Sequence, residues 1–267
     1  PVLRAMPWTE RGRYLSVGEG EKGLSVRQVE LLEVLPGDLR RTEAERLLER
    51  CAEARRQRRN RDPNMDLDVL AHLPLDEVAP DLREAASDPD PFRRARGLSC
   101  LVRAIGRAGR VAEHAELIRE RADRAGADRG PVRLALTKAL AALDAGSLAE
   151  HLLPALQPLL RAAVESRDVS AETLRALREV SSRLLGHPGH GPGTPARAFA
   201  LQVHTLLIGV HGTRALAPDA APRHRRPWWF RRGRGTWRSA DLGHEPSLDQ
   251  VLSQEDATDL LDRLAPA

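Results

Sequence analysis

Asp128-Arg129-Gly130-Pro131-Val132-Arg133, followed by Ala135, Leu136, Ala139, Leu140 and Leu143, is the stretch whose reading decides the fold. An acid and a Gly-Pro pair mark a turn and a helix start, because proline is tolerated only where its missing N–H is an orphan anyway. The apolar residues that follow fall at helical spacing, so one face of the helix is apolar. Two other stretches have the same plan. Ser87-Asp88-Pro89-Asp90-Pro91-Phe92-Arg93-Arg94 leads into Leu98, Leu101, Val102 and Ile105, and Asp168-Val169-Ser170-Ala171-Glu172 leads into Leu174, Leu177, Val180, Leu184 and Leu185. Asp90, Asp128 and Asp168 recur about 40 residues apart, a period that suits a unit of two helices.

Partner helices fit between these units. Residues 112–125 carry Ala115, Leu117, Ile118 and Ala122, and residues 148–164 carry Leu152, Leu153, Leu156, Leu159, Leu160 and Val164. Pro154 and Pro158 inside the second predict a kink, since each removes a helix donor. One such pair cannot bury its apolar face alone, whereas neighbours stacked in series bury a continuous core. An unrelated helical bundle is the alternative architecture.

These units resemble the HEAT-repeat family, in which an Asp-Pro turn leads into a second helix opening with Val-Arg and continuing with paired Ala and Leu. Pro131-Val132-Arg133 with Ala135, Ala139, Leu140 and Leu143 is the best match, and Asp88-Pro89-Asp90-Pro91 matches the turn. Arg93 stands where an apolar residue is usual, and the third unit lacks both the Pro and the Val-Arg pair. The resemblance covers about half the chain and implies an all-α fold, an α-solenoid of stacked helix pairs. It also admits an enzymatic variant, since some HEAT-like solenoids are DNA glycosylases. Those would use Trp and acidic groups in the groove, and the repeats here contain no Trp.

Composition supports helix. Aromatics are only 3% of the 267 residues, and Leu, Ala, Arg and Glu, all good helix formers, dominate. The formal net charge of +4 is local, for without the seven arginines of 223–238 it would be −3. Lys22 and Lys138 are the only lysines, an Arg bias that argues against reading every guanidinium as a ligand contact. Cys51 and Cys100 stand apart from each other and from any His/Cys cluster, so a reducing, cytoplasmic setting is expected. No apolar run is long enough to span a bilayer.

Motifs for chemistry are sparse. Gly18-Glu19-Gly20-Glu21-Lys22-Gly23 fits a GxGxxG pattern, but Glu19 and Glu21 would repel a phosphate and no second strand follows. His187 and His190 could face one metal, yet no third ligand completes the set. No nucleophile elbow or metal-protease motif appears. The sequence therefore predicts a non-catalytic protein without cofactor, metal or inferred small-molecule substrate.

Two surfaces remain as partner sites. Arg93, Arg94, Arg96, Arg133, Lys138, Arg175 and Arg178 lie on the second helices and would line the concave face of a solenoid, with a solvated helix face as the plainer reading. The second surface is the run from Arg223 to Arg238, which contains Arg223, Arg225, Arg226, Trp228, Trp229, Arg231, Arg232, Arg234, Trp237 and Arg238 and no acid. Guanidiniums pair with phosphate, and indoles stack on unpaired bases. The same residues could instead fold back on the acidic final helix around Glu255, Asp256, Asp259 and Asp262. A protein partner ranks first, nucleic acid or another polyanion second and a membrane surface last. The expected organisation is an N-terminal segment over 1–63, helical repeats over 64–210, and over 211–267 a partly irregular C-terminal extension with one last helix.

Overall fold

The computed structural model describes residues 26–57, 64–128, 130–165, 169–212 and 258. Their regular structure is helical throughout. A 3-10 segment, Val26–Val34, is followed by α1 (Gly37–Arg56), α2 (Met65–Leu70), α3 (Leu75–Ala85), α4 (Pro91–Arg107), α5 (Ala115–Gly126) and α6 (Gly130–Ala141). A helical turn at Ala145–Ser147 and a π-helical turn at Leu148–Leu152 run into α7 (Leu153–Glu165), and α8 (Ala171–Leu185) and α9 (Pro195–His211) complete the described core.

Starts are set by the expected chemistry. The Asp90 carboxylate accepts from the amides of Phe92 at 3.3 Å and Arg93 at 3.2 Å, with Pro91 in the first helical position. Ser170 Oγ accepts from the Thr173 amide at 3.1 Å, and Thr194 Oγ1 accepts from the Arg197 amide at 3.4 Å. Each side chain satisfies amides that have no partner inside the helix. The π turn lies directly before Pro154, where an α-helical register would need a donor that proline lacks and would press its ring on the preceding turn. Asp144 caps this run by accepting from the Ser147 amide at 3.0 Å, and that backbone bond pulls its carboxyl below the usual range.

One expectation is corrected at the N-terminal end. Pro36-Gly37-Asp38 reads as the end of the preceding helical stretch, and the 3-10 segment does stop at Val34, but Thr42 with Glu45 reads as the capping box of the next helix. In the fold α1 opens at Gly37 directly behind Pro36, so Thr42 is already inside the helix, where its hydroxyl donates to the Asp38 carbonyl at 3.1 Å. Glu45 pairs with Arg41 instead, at 2.9 Å.

Packing follows chain order. α4 packs on α6 and α6 on α8; on the other side α5 packs on α7 and α7 on α9. α3 lies against α4, α5 against α6, and α8 against α9. These faces share one apolar cluster running from Leu67 to Leu207, with Leu82, Ile105, Leu136, Leu140, Leu148 and Leu156 fully enclosed. Gly97 on α4 permits the closest approach, because a Cβ there would run into the backbone of Ala85 and Ala86 at the end of α3. A second, smaller cluster gathers Leu32, Leu35, Ala44, Leu47 and Val69, joining the 3-10 segment to α1 and α2.

Candidate functional site

The cations expected on the second helices are placed on α4, α6 and α8, and most of them are tied to neighbouring helices or turns. Arg94 makes a two-pronged ion pair with Asp128, Nε to Oδ2 at 2.7 Å and an Nη to Oδ1 at 2.9 Å, across the joint between α4 and the turn before α6. Its other Nη donates to the Pro89 carbonyl at 3.1 Å, and the Asp128 hydrogen bond holds the guanidinium more firmly charged. Both side chains are about one-fifth exposed (22% and 19%), so the fork is shielded from water. Such a charge-assisted pair is worth on the order of 1–3 kcal/mol.

The neighbours repeat the theme. Arg93 pairs with Asp88 at 3.0 Å and Arg96 with Asp68 of α2. Arg133 donates to the Asp128 carbonyl at 2.6 Å, and Lys138 reaches Glu172 at the start of α8 at 3.1 Å. Arg175 is half-buried and Arg178 is buried on α8. Arg94–Asp128, Lys138–Glu172 and the Arg110–Asp76 pair all join residues 34 positions apart. The same sequence offset recurs at two joints, twice between the α3–α4 pair and the turns that open α5 and α6, and once between α6 and α8.

Where α3 to α6 meet, a shallow cleft of about 260 Å³ is lined by Arg94, Leu98, Arg121, Arg124, Asp128 and Val132. It falls just below the usual range for ligand pockets, about 300–1,000 Å³. Arg124 is already paired with Glu120 at 2.6 Å.

The histidines are structural in geometry. His187 and His190 lie ring against ring at 4.3 Å between centroids, but His190 Nδ1 donates to the Leu184 carbonyl at 3.0 Å and His187 Nδ1 accepts from the Gly189 amide at 3.2 Å. Among the described residues no group of three or more His, Cys, Asp and Glu is gathered as a metal cage. Ser181 and His204 are in contact, Oγ to Nε2 at 3.1 Å, and both are fully enclosed. The Ser181 hydroxyl hydrogen goes to the Arg178 carbonyl at 2.8 Å, so the imidazole must be the donor in the pair. That is the reverse of a base activating a nucleophile. Burial, and then the Arg178 charge, push His204 down to about 4.

Both thiols are buried and unbridged; burial raises Cys51 to about 11 and raises Cys100 as well, which keeps them protonated and inert. No helix among the described residues is long and apolar enough to cross a membrane. The Gly18–Gly23 pattern, the Arg223–Arg238 run and, apart from Thr258, the final acidic helix lie outside the described residues. No family model matches the chain, and no curated protein or solved structure matches it either.

Proposed function

We propose that this chain is a non-catalytic repeat scaffold, an α-solenoid of HEAT-like stacked helix pairs that binds a protein partner in the cytoplasm. The observation that carries the reading is the chain-order packing of α4, α6 and α8, with their joints closed by charge pairs 34 residues apart. A linear array of this kind offers an extended surface while each unit needs only its neighbours. The Arg and Lys side chains that would line its face brace the array, so a partner is recognised by shape and apolar contact around them more than by their charge.

A second reading has its own support. The arginines of α4 pair with acids of this chain, whereas Arg223 to Arg238 brings seven arginines and three tryptophans with no acid among them. That composition suits a polyanion such as single-stranded nucleic acid.

Capture from native lysate separates the two, using the full chain and a variant lacking 223–238, each with and without nuclease. The scaffold reading expects a defined protein retained by both chains after nuclease, with cross-links to α4, α6 or α8. Nuclease-sensitive capture lost on deletion overturns it in favour of the second reading.

A further inference from the structure

The junction of the 3-10 segment with α1, α2 and α4 gathers more positive charge than it neutralises. Arg107 on α4 donates to Glu33 Oε1 at 2.8 Å and also to the Ala71 carbonyl. Arg103, one turn earlier, holds an Nη 4.0 Å from the same oxygen, too far for a hydrogen bond. His72 Nε2 approaches it at 3.8 Å from behind α2. Arg40 completes the group from α1, with its Nε on the Leu32 carbonyl at 3.0 Å and an Nη on the Leu35 carbonyl at 2.8 Å.

Among the described residues, Glu33 stands within ion-pair reach of Arg103 and Arg107, while Arg40 donates to the Leu32 and Leu35 carbonyls beside it. Three guanidiniums thus gather around one carboxylate, and a single Glu33 oxygen takes the approaches of Arg103, Arg107 and His72. Polar atoms are left over: the Arg103 Nε donor is buried without an acceptor, and Nδ1 of the buried His72 has no hydrogen-bond partner. The three arginines also act on His72 together, and with burial they keep it neutral, so it adds a hydrogen-bonding group without adding charge.

We propose that Arg40, Arg103, Arg107 and His72 form an oxyanion site for a phosphate dianion, which Glu33 occupies in its absence. With Glu33 displaced, three guanidinium charges remain to face the charge of about −1.5 to −2 that a phosphate monoester carries near neutral pH. The Glu33 side chain is 37% exposed and can swing into water, and the volume of its carboxylate head is then open to an oxyanion held by guanidinium forks. Free phosphate and a phosphorylated side chain share this chemistry.

The test is calorimetric titration of the full chain with inorganic phosphate at fixed ionic strength, repeated with a phosphoserine peptide. Glu33→Gln should tighten both by about tenfold, because it removes the competing internal anion. Arg103→Gln should weaken both by at least about tenfold, the loss of one shielded charge contact. Arg103 makes no close bond to Glu33, so this variant keeps the Arg107 tie; circular dichroism checks its fold. Tighter binding of the peptide assigns the site to phosphorylated side chains, and equal binding assigns it to free phosphate. The proposal is overturned if neither wild type nor Glu33→Gln binds, or if affinity is the same in all three chains. Equal affinity would place the phosphate elsewhere, such as the 223–238 run.

Discussion

Two apolar clusters hold the described chain, and they are built differently. The larger runs unbroken from Leu67 to Leu207 through interdigitated Leu, Ala and Val, with helix after helix adding to the same interior. The smaller consists of Leu32, Leu35, Ala44, Leu47 and Val69. Besides Leu73, which packs against both clusters, it is joined to the rest by polar ties: Arg107 to Glu33, and Arg41 to Glu77 at 3.0 Å. α2 is the hinge between the two modes, with Leu67 in one cluster and Val69 in the other. Apolar burial scales with area and is indifferent to partner, while a shielded charge pair fixes register but adds less stability. The N-terminal helices are therefore positioned more than they are anchored.

Truncation of enclosed leucines tests this most strongly. Leu140→Ala in the large cluster should cost about 2–5 kcal/mol and lower the urea midpoint of the whole molecule. Leu47→Ala removes the same volume from the small cluster, yet should release amide-exchange protection only over 26–57 while α6 stays protected. Loss of protection in α1 and α6 together would show that the clusters are one cooperative unit.

Acid should act on both clusters, to different depths. His204 in the large cluster is held neutral down to about 4 and His72 beside the small one down to about 2, each from an ordinary value of 6.5. The unfolded chain takes up these protons first, so stability is full above pH 6.5 and falls on acidification. The slope is roughly 1.4 kcal/mol per pH unit for each histidine. The His204 contribution ends near pH 4, and His204→Gln should flatten stability between pH 6.5 and 4. An unchanged slope would mean that the imidazole is already charged in the fold.

Asp128→Ala removes the fork from Arg94 and should cost about 1–3 kcal/mol in chemical denaturation, with the α4–α6 joint losing exchange protection first. The smallest effect belongs to Lys138→Ala. Its pair with Glu172 is 51% and 36% exposed, so the change should stay within about 1 kcal/mol and shrink further in salt. A larger loss would give the outer pairs the weight assigned here to the fork.

The helices of the middle of the chain were legible because their signals are local. Asp90 before Pro91, Ser170 before Ala171 and Thr194 before Pro195 announce helix starts within a few residues, and the apolar period does the rest. The N-terminal boundary was misread for the same local reason. Proline can follow a stop or precede a start, and the Thr42–Glu45 spacing imitates a cap inside α1. The helices that carry the candidate arginines were legible, and the ion pairs those arginines make were not. Nothing beside Arg94 in the sequence names Asp128 as its partner, since that carboxylate arrives only when the next turn folds against α4. Glu33 and Arg107 are 74 residues apart, a separation with no periodic echo, so the oxyanion junction left no trace before the fold was known.

The packing of α4 on α6 and α6 on α8 also bears on synthesis. Apart from α5, whose main partners α6 and α7 follow it, each helix from α4 onward finds a neighbour in chain already made, and none waits for a distant strand to close a sheet. Emerging from the ribosome, the chain can lay down its interior one helix at a time, leaving one short unpaired face exposed at any moment.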